Sequence, residues 1–224
     1  MTPTQARQQY VAPSTKPRLR GRFHALAALL ALGMTVWLAL RDVAPAMRAA
    51  LILFGACSTL LYTVSAIYHI GDWRDQSCRL WRTFDHANIY LLIAATYTPF
   101  CLVILDGFWL YVMLGTLWVA ATIGVLLKVL RPFASRGVTT ALYAGMGWFG
   151  IFLIPRLVHV LPLNALWVLL AAGICYSVGG VIYALRKPNL IPNIFGFHEL
   201  FHVLGVVANG LFLLAMVRWV LPLS

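Results

Sequence analysis

Charge is what this sequence lacks. Of its 224 residues only 10% are Asp, Glu, Lys or Arg, and the acids number six. A soluble domain carries about 25% charged residues, so this composition excludes an ordinary water-exposed surface. Cysteine is scarce too. Cys57, Cys78, Cys101 and Cys175 show no CxxC spacing, which excludes a thiolate ribbon and gives no disulfide framework. Three of them fall inside apolar runs, as small buried side chains do. Beyond residue 22 no polar stretch is long enough to be an inserted soluble domain, and no internal repeat is evident.

Hydrophobicity is present in excess: 62% of residues are hydrophobic and the mean hydropathy is +0.85. Seven apolar runs stand out, at 23–40, 47–70, 84–105, 109–130, 138–155, 163–184 and 197–221. Crossing a bilayer takes about 20 apolar residues as helix. The runs do not alternate, so helices are favoured over a closed barrel. The expectation is an all-α integral membrane bundle of seven transmembrane helices, residues 23–224, behind a disordered basic arm, residues 1–22. A cleaved signal peptide is the competing reading of the first run, with Ala44-Pro45-Ala46 as a small-residue cleavage site. The basic lead is long for one.

The net charge of +11 would suggest nucleic acid on a soluble domain. Its distribution gives a better account. Thirteen of the seventeen Lys and Arg fall in the amino-terminal tail and the even-numbered loops, leaving Arg41, Arg48, Arg156 and Arg218 for the other side. The positive-inside rule then puts the amino terminus in the cytoplasm and the carboxyl terminus outside, as an odd number of spans requires. No nucleic-acid partner is expected. Trp73, Trp81, Trp109, Trp167 and Trp219 sit near expected interfaces, where their rings anchor helices.

Ionisable residues inside spans are expensive and point to function. Here they cluster. Ser65 and His69 end span two, Asp85 and His86 open span three, and His198, Glu199 and His202 open span seven. All three places are expected at the cytoplasmic face. Ser65 and His69 are four residues apart and share a helix face, as do His198 and His202. Two imidazoles at that spacing can hold one Zn²⁺ from a single helix, and three protein ligands with an open position mark a catalytic type of site. His69 is the best third ligand, and His86 the alternative. His24 and His159 have no partners and are expected at interfaces. His198 to His202 also matches HExxH, in which the glutamate is a general base. Residues 203–224 contain no His, Asp or Glu, so the third ligand of that class is missing downstream.

At these residues the chain resembles the haemolysin III family, the bacterial branch of the progestin and adipoQ receptor superfamily. Adiponectin receptors belong to it, and alkaline ceramidases are proposed distant relatives. The matching segments are Ser65 to His69, Phe84 to Phe100 and Phe197 to His202, in order on spans two, three and seven. The resemblance implies that His69, His198 and His202 bind zinc, that Asp85 holds the water on the metal, and that Ser65 lies beside the site. It departs at His86, where the receptors have tyrosine, and at Asn88, where a small residue is frequent. The receptors lack a counterpart of Glu199, which argues against a base role for it, and a supporting role behind the ligands is expected instead.

The expected function is zinc-dependent hydrolysis of a membrane-lipid amide or ester near the cytoplasmic leaflet of a bacterial inner membrane, in the service of lipid homeostasis. Asp85 would move the proton and Ser65 steady the oxyanion. The alternative is a non-enzymatic sensor of membrane lipid state with structural zinc. Pore formation, which the family name suggests, needs a polar stripe through the membrane, and the ionisable residues keep to one end. Membrane lipid is the expected partner, and the sequence leaves the oligomeric state open.

Overall fold

The computed structural model describes residues 17–130 and 136–224. Most of the arm expected to be disordered, residues 1–16, lies outside those residues. Lipid offers a chain no hydrogen-bond partners, so each long apolar run closes its backbone bonds within itself. The result is α1 (Arg22–Ala39), α2 (Pro45–Ile70), α3 (Asp75–Ile104), α4 (Gly107–Leu130), α5 (Arg136–Gly147), α6 (Ile154–Val160), α7 (Leu163–Leu185) and α8 (Phe197–Ala215). Taken with α5 and α6 as one interrupted span, seven helical stretches are long and apolar enough to cross a bilayer. The seventh continues past α8 through a π turn at Met216–Val220. Among the described residues the strand-like pairing is one isolated bridge, Ile191 with Phe195. The chain is an all-α, seven-span membrane bundle.

Two spans differ from the hydropathy reading. Residues 71–83 were expected as the longest loop, yet α3 already begins at Asp75. Hydropathy finds where hydrocarbon begins, not where a helix does. Gln76, Arg79, Leu80 and Arg82 are good helix formers, and Asp75 in the first turn suits the positive end of the helix dipole. The turn before it is closed by Trp73, whose Nε1 donates to the Ile67 carbonyl at 3.0 Å. The longest connection among the described residues is instead 186–196.

The fifth span is interrupted by a 3₁₀ stretch, Trp148–Leu153, and continues to Val160 rather than stopping near 155. Gly145, Gly147 and Gly150 weaken the helix, and Pro155 withholds an amide. Tyr97 of α3 repairs the gap. Its hydroxyl accepts from the Gly150 amide at 2.8 Å and donates to the Gly147 carbonyl.

α2 and α3 form the centre, with more than half of each span's apolar window buried. α1 lies against α2 at a close approach, where a Cβ on Gly55 would sit 2.4 Å from Thr35 Oγ1. Deeper in the bundle, Asn209 Nδ2 donates to Ser58 Oγ at 3.1 Å across α8 and α2. The end of the bundle away from the histidines is filled by Leu38, Leu51, Phe54, Ile104, Met216 and Val220. The polar residues meet at the opposite end, among aromatic side chains such as Tyr183 and Phe201.

Candidate metal centre

Successive spans run in opposite directions, so the starts of α1, α3 and α8 share an end of the bundle with the finish of α2 and α7. His69 sits in the last turn of α2, while His198 and His202 occupy the first two turns of α8. One ligand nitrogen from each of the three lies within 4.8 Å of the others. His69 Nε2 and His198 Nε2 are 3.1 Å apart. The ring centroids are 4.6 Å apart for His69 and His198, 5.0 Å for His69 and His202, and 4.5 Å for His198 and His202.

This donor set fits a small divalent cation. A tetrahedral zinc with Zn–N bonds of about 2.0–2.1 Å holds its nitrogens about 3.3 Å apart, close to the His69 to His198 separation. Two imidazole nitrogens aimed at each other share one proton at best, and a cation between them satisfies both. All-imidazole sites suit zinc, copper, iron or nickel. The three histidines could therefore hold a metal ion.

Asp85 does not open its helix, as the hydropathy reading had it, because α3 starts ten residues earlier. Its Oδ2 lies 3.8 Å from His69 Nε2 and 3.6 Å from His86 Nδ1. Ser65, one turn before His69, is 1% exposed, and its side chain lies within hydrogen-bonding reach of Asp85. His86 is not in the three-histidine group. Its Nδ1 faces the Arg82 carbonyl at 2.8 Å and its Nε2 the Tyr183 hydroxyl at 3.1 Å, so it bridges α3 and α7.

Ser65, Asp85, His198 and His202 border a cavity of about 590 Å³. It runs between α3, the interrupted fifth span, α7 and α8 as far as Phe100 and Phe212. From His198 to Phe212 is fourteen helical residues, about 21 Å. One leaflet of the hydrocarbon core is about 15 Å thick, so the cavity can take a lipid tail lengthwise. Its volume is in the range of small-molecule sites, about 300–1,000 Å³.

Three neighbours of the histidines were not visible in the sequence. His24 was expected at an interface without partners. It is instead 5% exposed and stacks on His202, with centroids 3.8 Å apart and planes 8° from parallel. The reason is that the first turn of α1 lies against α8. His159 is exposed at the end of α6. Arg20, assigned to the arm, pairs through Nε with Glu199 Oε1. The other carboxylate oxygen of Glu199 accepts the Gly196 amide at 2.8 Å. Gly21 has φ +78°, and a Cβ there would fall 2.8 Å from that of His69. The only sequence signal was a single glutamate in an apolar run, which demands a cation at the same depth.

Comparison with known proteins supplies the family. The description "Haemolysin-III related" matches residues 13–213. The chain is 30% identical over 202 residues to Hemolysin-3 of Bacillus cereus, covering 89% of each chain. It is 34% identical over 137 residues to the Hemolysin-3 homolog of Bacillus subtilis (strain 168), covering 60% of this chain and 63% of that one. A plant protein, Heptahelical transmembrane protein 5 of Arabidopsis thaliana, is 32% identical over 147 residues, 57% of this chain and 38% of its own. That likeness is consistent with the wider superfamily suggested by the three motifs. Matched along nearly its whole length, this seven-span chain belongs to the haemolysin-III related family.

Proposed function

We propose that the chain is a zinc-dependent hydrolase of a lipid amide or ester, working at the cytoplasmic side of a bacterial plasma membrane and serving lipid homeostasis. One observation carries this reading. Three imidazoles have nitrogens within 4.8 Å of one another, and two of them, His198 and His202, border with Asp85 and Ser65 an apolar cavity long enough for an acyl chain.

His69, His198 and His202 would hold the ion, and no fourth protein ligand joins them among the described residues. Zinc held this way supplies Lewis acidity and an acidified water. The cavity aligns the acyl chain and brings its carbonyl carbon to the histidine end. Asp85 takes the proton from the attacking water as the new C–O bond forms. It then hands that proton to the leaving nitrogen or oxygen as the old bond breaks, so the products are a fatty acid and an amine or alcohol. General acid–base work of this kind contributes about 10²–10⁴-fold. Ser65, buried beside Asp85 on the cavity wall, would turn its hydroxyl to donate to the carbonyl oxygen as negative charge builds on it. Glu199 takes no part in proton transfer, because both its oxygens are engaged.

The test uses purified, reconstituted protein and measures fatty-acid release from amide-linked and ester-linked lipids. Asp85→Ala should lose about 10²–10⁴-fold in rate with metal content unchanged. Equal release by both proteins would sink the reading.

A second reading rests on Asp85 as well. Its oxygen lies 3.8 Å from a ligand nitrogen, so a small movement would make it a fourth ligand. A closed four-ligand site is structural in type, and the chain would then sense membrane lipid without turning it over. Asp85→Ala would in that case weaken metal binding, the opposite of the result expected above.

A further inference from the structure

A carboxylate held at 1% exposure is costly unless a cation and hydrogen bonds compensate it. Glu199 is so held, and it is the only glutamate in the chain. It stands between His198 and His202 in sequence, where the HExxH pattern would make it a base. Its surroundings assign it differently. One oxygen receives the Arg20 guanidinium, and the other caps the first turn of α8 through the Gly196 amide. His198 belongs to that same turn.

Arg20 is itself fixed. The segment that carries it runs beside the approach to α8, with the Arg18 amide donating to the Asn193 carbonyl at 3.1 Å and the Leu19 amide to the Ile194 carbonyl at 3.4 Å. Phe23 meets Phe195 edge-on at 5.9 Å. One residue beyond Arg20, Gly21 presses on His69, and three beyond that, His24 stacks on His202. A single short turn thus touches all three candidate ligands, directly or through Glu199.

Building on the metal-site reading, we propose that the amino-terminal turn, residues 17–24, is the wall that sets the ligand geometry, and that Arg20 and Glu199 are its positioning pair. Glu199 holds the helix turn that presents His198, and Arg20 ties that turn to the segment backing His69 and His202. Neither residue touches the substrate. Groups that orient histidine ligands in this way are worth about 10–100-fold in metal affinity.

The experiment uses full-length protein in detergent. Zinc affinity is measured by chelator competition, and ligand geometry by the absorption spectrum of the cobalt-substituted protein. Arg20→Ala and Glu199→Gln should each weaken zinc binding about 10–100-fold and alter the cobalt bands. Arg20→Lys should restore most of the affinity. Combining Arg20→Ala with Glu199→Gln should cost little more than the worse single change, because the two act as one unit. Should Arg20→Ala fail to fold, Arg20→Gln and Glu199→Gln carry the test, since Glu199→Gln keeps the size of the side chain and Arg20→Gln keeps a hydrogen-bond donor on a shorter one. A glutamate acting as base predicts the reverse: Glu199→Gln without turnover, with affinity and cobalt spectrum intact. That result, or an unchanged affinity in the Arg20 variants, overturns the inference and leaves the metal site standing. A wild-type protein that binds neither zinc nor cobalt overturns both.

Discussion

Two regions press on the same three imidazoles, and they differ in kind. The face built by α2 and α3 brings Ser65 and Asp85, polar groups that lie beside each other and border the cavity. The turn at residues 17–24 brings Arg20 and Gly21, whose contacts run to other parts of the protein, and His24, which stacks on His202 and also borders the cavity. The first region is arranged to act on something that arrives, the second to keep the histidines where they are. Two carboxylates make the contrast concrete. Asp85 lies near two imidazoles within 4 Å, whereas Glu199 is locked by a guanidinium and a backbone amide.

The comparison breaks most completely if the shared element is removed. His198→Ala should abolish both metal content and turnover, with a loss of affinity beyond the roughly 100-fold that an orienting partner alone commands. Elemental analysis of the purified variant checks it. The two regions should then separate by readout. Asp85→Asn should strike the rate and spare affinity, whereas Arg20→Gln should strike affinity first. A smaller effect should come from the cavity wall. A Cβ on Gly173 would meet nothing within 4 Å, and the residue lines the cavity, so Gly173→Leu should narrow it. Long-chain substrates should lose about 10–200-fold in kcat/KM while short ones are spared, measured across a series of acyl lengths. The smallest effect belongs to Tyr97→Phe. It leaves the Gly150 amide and the Gly147 carbonyl short of a partner and should cost about 1–3 kcal/mol of stability, seen as a lower Tm with metal binding unchanged.

How much of this was written in the sequence divides along the same line. Seven spans could be read because each apolar run is long and bounded by charge or proline. His198 and His202 could be placed together because four residues make one helical turn. His69, Ser65 and Asp85 could be singled out because polar groups inside apolar runs gather at one depth, and the resemblance, carried by three short segments, gave them their roles. The other region was hidden. Arg20 sits among other cations in a tail that looks uniformly solvated, and its partner is 179 residues away. Nothing local tells which of Arg18, Arg20 and Arg22 turns inward. Gly21 and His24 gain meaning only once α1 is docked on α2 and α8. The early start of α3 and the interruption of the fifth span were missed for a related reason. Hydropathy reports the solvent a residue prefers, and a helix can extend past the lipid or stall inside it.

The repair at Tyr97 carries a lesson about reading walls. Its phenol faces the acyl-sized void, and a search for reactive groups would stop there. Yet its oxygen is already committed to two glycines on the neighbouring span. It lets a rod be snapped mid-bilayer without leaving a dangling amide in oil, and the void exists partly because the rod could be snapped. A polar atom on the lining of a chamber is sometimes the mortar of the chamber and has no dealings with its guest.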